Sequence, residues 1–108
     1  GTVEHGSGPV LVTVEYRVGP ERVPAFFAAM RPMRRIRRRD GAIDWGLYED
    51  TAEPGRVIET FTLESWLEHL RQHERVTNAD RVEQDLVRAY HTAATPPVVR
   101  HFVARRPG

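Results

Sequence analysis

One stretch of the chain, residues 59–77, changes its hydrophobic period abruptly. Before Ser65, large side chains alternate with polar ones, as in a half-buried β-strand. Ser65 and Glu68 then have the spacing of a capping box, in which the hydroxyl accepts a backbone hydrogen bond and the carboxylate reaches back to the cap. Trp66, Leu67 and Leu70 follow as a helical apolar stripe. The stretch therefore predicts a strand that runs directly into a capped helix.

The predicted helix carries candidate site residues at its start. His69 comes three residues after Trp66 and His73 four residues later, so all three lie along one edge of the apolar stripe. A pocket at this corner would be lined by them, and with Glu64 they are the candidate catalytic residues. Two histidines one turn apart can bind a metal, but a metal site needs a third ligand. We therefore favour local hydrogen bonding of the pair and predict no metal and no cofactor.

Composition limits the class of protein. A length of 108 residues fits one domain, and the chain has no cysteine, which excludes disulfides and thiolate chemistry. No apolar run approaches the roughly 20 residues that span a bilayer. A net charge of +1 argues against long-range attraction to nucleic acid. These features predict a small globular domain, which we place in the cytoplasm.

Periodicity predicts the element order β-α-β-β-α-α-β. Residues 1–8 are interpreted as a flexible tether or cloning remnant, residues 9–104 as the domain and residues 105–108 as a tail. Strands are predicted at 10–17, 42–50, 57–64 and 98–104, with the first strand central in the sheet. Helices are predicted from residues 20, 65 and 77, the first kinked or ended near Arg31 by Pro32. This order indicates an α+β, ferredoxin-like fold whose helices cover one face of an antiparallel four-stranded sheet.

The sheet face without helices also carries apolar residues. A single copy would leave them in water, so we expect a homodimer whose sheets pack face to face, as a dimeric α/β barrel.

Aromatic side chains offer a second type of site. Trp45, Tyr48 and Trp66, with His69 and His73, could form the wall of a pocket for a small aromatic ligand. The alternative, which is the more frequent case in small domains, is that the aromatic rings belong to the core. Gly46 between two of them suggests a bulge or a close approach of backbone or ligand.

An arginine run ends the first helix. Arg31, Arg34, Arg35 and Arg38 fall on one helical stripe. A solvated face balanced by the acids is the first interpretation and contact with an anionic membrane surface the second. Nucleic acid ranks last, because the run lacks the aromatic residues that stack on bases.

The segments VLVTVEYRV, PERVPAFFAAM, RRIRRRDGA, WGLYED and ETFTLESWLEHLRQHERVT occur in this order. Together they resemble the soluble C-terminal domain of bacterial major-facilitator transporters of the transmembrane secretion effector type, which include enterobactin-exporter-like proteins. The resemblance covers about residues 9–104. It implies a cytoplasmic accessory or regulatory domain of an efflux transporter, which binds a small aromatic ligand.

More distantly, the chain is similar to the antibiotic biosynthesis monooxygenase superfamily of dimeric α/β barrels. That similarity implies a pocket between sheet and helices, and it maps the helix tryptophan of those enzymes onto Trp66. Their histidine lies further along the helix than His73, and their strand asparagine has no match among Thr60, Thr62 and Glu64. The alternative function is thus a stand-alone, cofactor-independent monooxygenase that acts on an aromatic polyketide.

Overall fold

The computed structural model describes residues 4, 6–75 and 77–105, without the side chains of 72–79. It confirms the α+β, ferredoxin-like order β-α-β-β-α-α-β. The strands are β1 (Val10–Arg17), β2 (Asp44–Glu49), β3 (Arg56–Leu63) and β4 (Val98–Val103). After a short 3₁₀ turn (Pro20–Arg22), the helices are α1 (Val23–Ala29), α2 (Arg31–Arg39), α3 (Trp66–Arg75) and α4 (Thr77–Tyr90). None of the described helices is both long and apolar enough to cross a membrane.

The four strands form one antiparallel sheet in the order β2-β3-β1-β4, so β1 is central as predicted. Val14 of β1 pairs with Glu59 of β3, and Glu59 pairs with Leu47 of β2. This row of residues faces the helices, because alternate residues of β1, beginning with Val10, are buried. A glutamate thus lies in a row that otherwise belongs to the core.

The first helix is divided in two, as Pro32 predicts. α1 ends at Ala29, Met30 forms a turn, and α2 begins at Arg31 with the proline in its first turn. Proline is tolerated there because it has no N–H to donate, whereas further inside a helix it would clash with the preceding turn. The break lets α2 take its own direction across the core.

The corner between β3 and α3 is fixed from two sides. Ser65 Oγ accepts the backbone N–H of Glu68 at 3.3 Å, which is the first half of the predicted capping box. The Glu68 carboxylate accepts a hydrogen bond from Arg71. The Trp66 N–H donates to the Ser7 carbonyl at 2.6 Å, and Gly8 lies so close that a Cβ there would be 2.4 Å from the Glu64 carbonyl oxygen. Part of the predicted tether therefore packs against this corner.

The core lies between the sheet and the helices. Its largest fully buried apolar side chains come from β1, β3, α1, α2 and the turn between the two helices: Tyr16, Leu63, Phe26, Met33 and Met30. The opposite face of the sheet has no helix in the described structure, and Leu11 and the paired Phe102 are exposed on it.

Gly46 causes no bulge in β2, which pairs with β3 without interruption. The ring of Tyr48 lies over the glycine instead, because a Cβ on Gly46 would be 2.6 Å from a ring carbon. The space at the glycine is therefore used by a side chain of the same strand, and not by the backbone or ligand approach that the sequence suggested.

Candidate functional site

A buried ion pair connects α2 with the sheet. Arg37 is on the buried side of α2 and Glu59 is on the helix-covered face of β3. Arg37 Nε donates to Glu59 Oε2 at 3.0 Å, and Arg37 Nη2 donates to Glu59 Oε1 at 3.1 Å. The Glu59 side chain has no solvent exposure and that of Arg37 only 6%. Because buried charges are tolerated only when they are paired, each side chain holds the other in place.

Ring side chains surround this pair. Trp45 Nε1, from β2, donates to Glu59 Oε2 at 2.8 Å, and the Tyr16 hydroxyl lies 3.4 Å from Glu59 Oε1. The Arg37 guanidinium carbon lies 4.6 Å from the centroid of the Phe61 ring, which is a cation–π contact. The carboxylate is thus held from β1, β2 and α2 at once, and its position is rigid.

A second carboxylate, Glu83 of α4, joins the same guanidinium. Arg37 Nη2 lies 3.3 Å from Glu83 Oε2, and the Tyr16 hydroxyl lies 3.2 Å from Glu83 Oε1. One arginine therefore faces two carboxylates. When both carboxylates are ionised, the cluster of Arg37, Glu59 and Glu83 has an excess of one negative charge.

Burial and charge together set the protonation of this cluster. Burial raises the pKa of Glu83 above its ordinary 4.5; Arg37 opposes the rise, and Glu59 adds to it. Burial, with the two nearby carboxylates, also raises the pKa of Tyr16. Burial alone would lower the pKa of Arg37, but the charge and hydrogen bonds of Glu59, together with the charge of Glu83, outweigh it. Arg37 thus keeps its charge and Tyr16 its proton, while Glu83 holds a proton more tightly than a solvated carboxyl does.

Glu83 also reaches the surface. Its side chain is 21% exposed, and it lines a groove of about 430 Å³ between α4 and the segment before β4. Val87, Pro96 and Pro97 form apolar walls, and the remaining lining residues are Asp80, Gln84 and Arg88. Arg88 lies 3.7 Å from Asp85, a carboxylate of the same helix. The groove therefore joins apolar walls to a carboxylate that belongs to the buried cluster.

The predicted Trp66 and His69 do come together, and a third ring joins them. The Trp66 and His69 ring centroids are 4.7 Å apart, and His101 of β4 lies 4.3 Å from His69 and 6.1 Å from Trp66. His69 is buried. The side chain of His73 lies outside the described residues. In the described part of the chain, no group of three or more His, Cys, Asp or Glu residues could hold a metal ion.

The other predicted site residues lie apart from this aromatic cluster. Trp45 is half-buried and donates to Glu59, whereas Tyr48 is 61% exposed on the helix-free face. Glu64 is exposed at the end of β3. The predicted site residues whose side chains the structure describes are thus divided between the core, the helix-free face of the sheet and the β3–α3 corner. The predicted surface arginines, Arg31, Arg34, Arg35 and Arg38, are all exposed on α2.

Sequence reasoning missed the buried cluster itself. One signal was present: Glu59 falls in phase with Val57, Phe61 and Leu63, at an inward position where a charge needs a buried partner. Arg37 gave no separate signal, because it stands within a run of arginines. His101 was missed because only the pairing of β4 with β1 brings it to the corner.

Comparison with known families and structures places this fold. A family model described as "Transmembrane secretion effector" matches residues 1–108. No curated protein matches the chain significantly.

Among solved structures, a proposed antibiotic biosynthesis monooxygenase from Caulobacter crescentus is similar with a TM-score of 0.72 and 15% identity, covering 94% of each chain. One from Nitrosomonas europaea has a TM-score of 0.70 at 14% identity and covers 99% of this chain and 98% of its own. A protein from Mycobacterium tuberculosis has a TM-score of 0.68 at 19% identity and covers 93% of this chain and 98% of its own. At these identities the likeness establishes the shared fold.

Proposed function

The chain belongs to the transmembrane secretion effector family, and from this we propose that it is an accessory domain of a secretion transporter. In this proposal the domain lies on the cytoplasmic side and binds a small ligand in the groove beside Glu83. The observation that carries the ligand site is the connection between groove and core. The groove has apolar walls, and the Glu83 carboxylate lies in its lining. Within the described residues, the arginine partner of Glu83 is Arg37, which also binds Glu59.

The charge of the cluster selects the ligand. Arg37 balances one of its two carboxylates, so a cationic group placed at Glu83 would balance the other. Val87 and the rings of Pro96 and Pro97 offer a surface for a flat apolar body. The ligand that fits is a small aromatic compound with a basic amine. Because the amine favours the ionised form of Glu83, binding should strengthen as pH rises through the raised pKa of that residue.

Tryptophan fluorescence provides a test. The chain has two tryptophans, so Trp66→Phe leaves Trp45 as the only indole. Trp45 Nε1 is bonded to Glu59, which shares Arg37 with Glu83, so occupation of the groove should change its emission. We expect aromatic amines, but not the matching neutral aromatics, to give a saturable change in this background.

Two variants on α4 separate a groove site from general attraction of cations. Glu83→Gln should abolish the response, whereas Asp85→Asn removes the same charge outside the groove lining and should retain it. The same response in both variants would contradict the proposal, as would no response to any amine of the panel in the parent.

A second candidate function is a cofactor-independent monooxygenase, favoured by the aromatic cluster. The buried imidazole of His69 packs between Trp66 and His101, where it could take the proton of a phenolic substrate. This candidate predicts oxygen uptake with a dihydroxy-aromatic compound that is lost in His69→Ala and retained in Tyr48→Phe. Equal rates in both variants would remove the cluster from the reaction.

The helix-free face of the sheet supports a homodimer as the assembled form. Exposed apolar residues occupy it: Leu11, Tyr48, Val98 and Phe102. A depression of about 350 Å³ surrounds Leu11 and Phe102 and could take a side chain from a second copy. In sedimentation, Phe102→Glu should halve the mass of the particle, while Leu70→Glu on α3 should not. A parent chain that sediments as a monomer would refute this assembly.

A further inference from the structure

The solvent side of α2 is an uninterrupted cationic surface. Its five exposed arginines, which we call the arginine face, are Arg31, Arg34, Arg35, Arg38 and Arg39. At 3.6 residues per turn they cover an arc of about 140°. Met33 and Arg37 are buried on the other side. The helix thus separates a core side from a solvent side on which every charged residue is an arginine.

The buried cluster fixes the direction of this surface. The two hydrogen bonds from Arg37 to Glu59 hold the guanidinium in one plane, and the sheet holds Glu59. Rotation of α2 about its axis would break both bonds inside the core. The arginine face is therefore presented to solvent in a defined orientation.

Within the described part of the chain, the arginine face has no ion pair to a carboxylate, although nine other ion pairs occur there. Arg31 and Arg35 are four residues apart, as are Arg34 and Arg38. Like charges at this spacing repel one another on a helix. An anionic surface in contact with the helix would relieve this repulsion.

We propose that the arginine face binds anionic lipid headgroups of the membrane surface. This inference rests on the proposed role of the domain beside a transporter, and it adds which side of the domain meets the bilayer. An α2 of nine residues is about 13 Å long and presents no aromatic side chain for stacking on bases. The net charge of the whole chain is only +1, so attraction to an anionic surface depends on a local concentration of arginines such as this one. A headgroup layer matches such a short, one-sided cationic surface.

Vesicle co-sedimentation of the 108-residue chain tests the proposal. Vesicles of phosphatidylcholine with about a third phosphatidylglycerol should bind the protein, pure phosphatidylcholine should not, and added salt should weaken binding. The variant Arg34→Gln/Arg35→Gln/Arg38→Gln should lower the partition coefficient about 100-fold, since each basic residue near an anionic surface strengthens attachment about fivefold. The matched control, Arg71→Gln/Arg81→Gln/Arg105→Gln, changes three exposed arginines outside the arginine face and the groove lining, has the same net charge and should lower the partition coefficient less than about threefold.

Three outcomes would overturn the inference. They are absence of binding to anionic vesicles at low salt, equal losses in the two triple variants, and tighter binding to duplex DNA than to vesicles. None of these results bears on the groove, because the fluorescence response to amines is measured without lipid. A failed membrane surface and a failed ligand site would therefore be distinguishable.

Discussion

The two faces of the sheet each hold a charged cluster, and the stoichiometry of the two is reversed. On the helix-covered face, one arginine, Arg37, lies between Glu59 and Glu83. On the open face, one carboxylate, Glu15, lies within 4 Å of three guanidinium groups: Arg17 at 3.1 Å, Arg56 at 2.7 Å and Arg100 at 3.6 Å. Glu15 is on the central strand β1 and Glu59 is on the neighbouring strand β3. The two clusters therefore share the same sheet and differ in the number of charges of each sign and in solvent exposure.

The reversed counts displace the carboxyl pKa values in opposite directions. Burial alone would raise the pKa of Glu15, but hydrogen bonds and charge from Arg56 and Arg17 outweigh it and lower the pKa below 4.5. Burial raises the pKa of Glu83, and one shared arginine does not restore it. Burial raises the pKa of both carboxyls, and the final direction depends on whether the opposing charges within reach offset that rise.

The two clusters also differ in how their extra charge is balanced. Arg17, Arg56 and Arg100 keep 38, 30 and 52% of their side chains in solvent, and Arg17 and Arg56 have further acidic partners in Glu53 and Asp50. In the single chain, water and neighbouring acids offset that surplus. The extra negative charge of the inner cluster, Arg37 with Glu59 and Glu83, lies where little water reaches it. A proton or a ligand cation must therefore balance that charge. For this reason the proposed ligand site is beside the inner cluster rather than the outer one.

The largest expected effect is the loss of the inner counter-ion. Arg37→Met should lower the free energy of unfolding by about 3–5 kcal/mol, because it removes the counter-ion and two hydrogen bonds of the fully buried Glu59 carboxylate. Urea unfolding followed by far-ultraviolet circular dichroism measures the change. The matched control is Arg38→Met on the exposed side of α2, expected within about 0.5 kcal/mol of the parent. A loss below about 1 kcal/mol for Arg37→Met would mean that the inner cluster is not charged as described.

A smaller effect is expected on the open face. Glu15→Gln should cost about 2 kcal/mol, because its hydrogen bonds to Arg17 and Arg56 weaken while those arginines retain water. Asp44→Asn, an exposed residue on the same face of β2, serves as control and should change stability by less than about 0.5 kcal/mol. If Glu15→Gln lowered the free energy of unfolding as much as Arg37→Met, the difference in solvent exposure would not explain the different stabilities of the two clusters.

The fold around these clusters could be predicted from local sequence patterns, whereas the contacts within them could not. Alternation in the strands and the capping serine predicted the sheet, the central β1 and the helix starts, because such signals are local. Glu59 was visible as a charge in an apolar phase, yet the sequence named no partner for it. Its partners Arg37 and Trp45 reach it only through the packing of α2 and the pairing of β2 with β3. The aromatic residues were recognised as candidates, but their faces and neighbours are tertiary facts.

The third effect concerns the hydroxyl that joins the two inner carboxylates. Tyr16→Phe should cost about 1 kcal/mol, since Glu83 and Glu59 lose a hydrogen-bonding neighbour while the ring still fills its place against Phe26. Tyr48→Phe is the control, because Tyr48 is exposed on the open face, and it should change stability by less than about 0.5 kcal/mol. A Tyr16→Phe protein as stable as the parent would show that the hydroxyl contributes no net stability to the network.

The smallest expected effect is a difference in pH dependence, and its sign is opposite for the two faces. The pKa of Glu83 is raised above the ordinary 4.5, so its contribution to stability is complete below that value and is lost as pH rises through its folded-state pKa. The stability of the parent relative to Glu83→Gln should therefore fall with rising pH.

The pKa of Glu15 is lowered, so its contribution is present above 4.5 and is lost as pH falls through its folded-state pKa. The stability of the parent relative to Glu15→Gln should accordingly rise with pH. Urea midpoints of the three proteins across the acidic to neutral range measure both slopes, and common effects of pH cancel in the differences. Slopes of the same sign would contradict the reversed stoichiometry, because it requires Glu83 to bind its proton more tightly after folding and Glu15 more weakly.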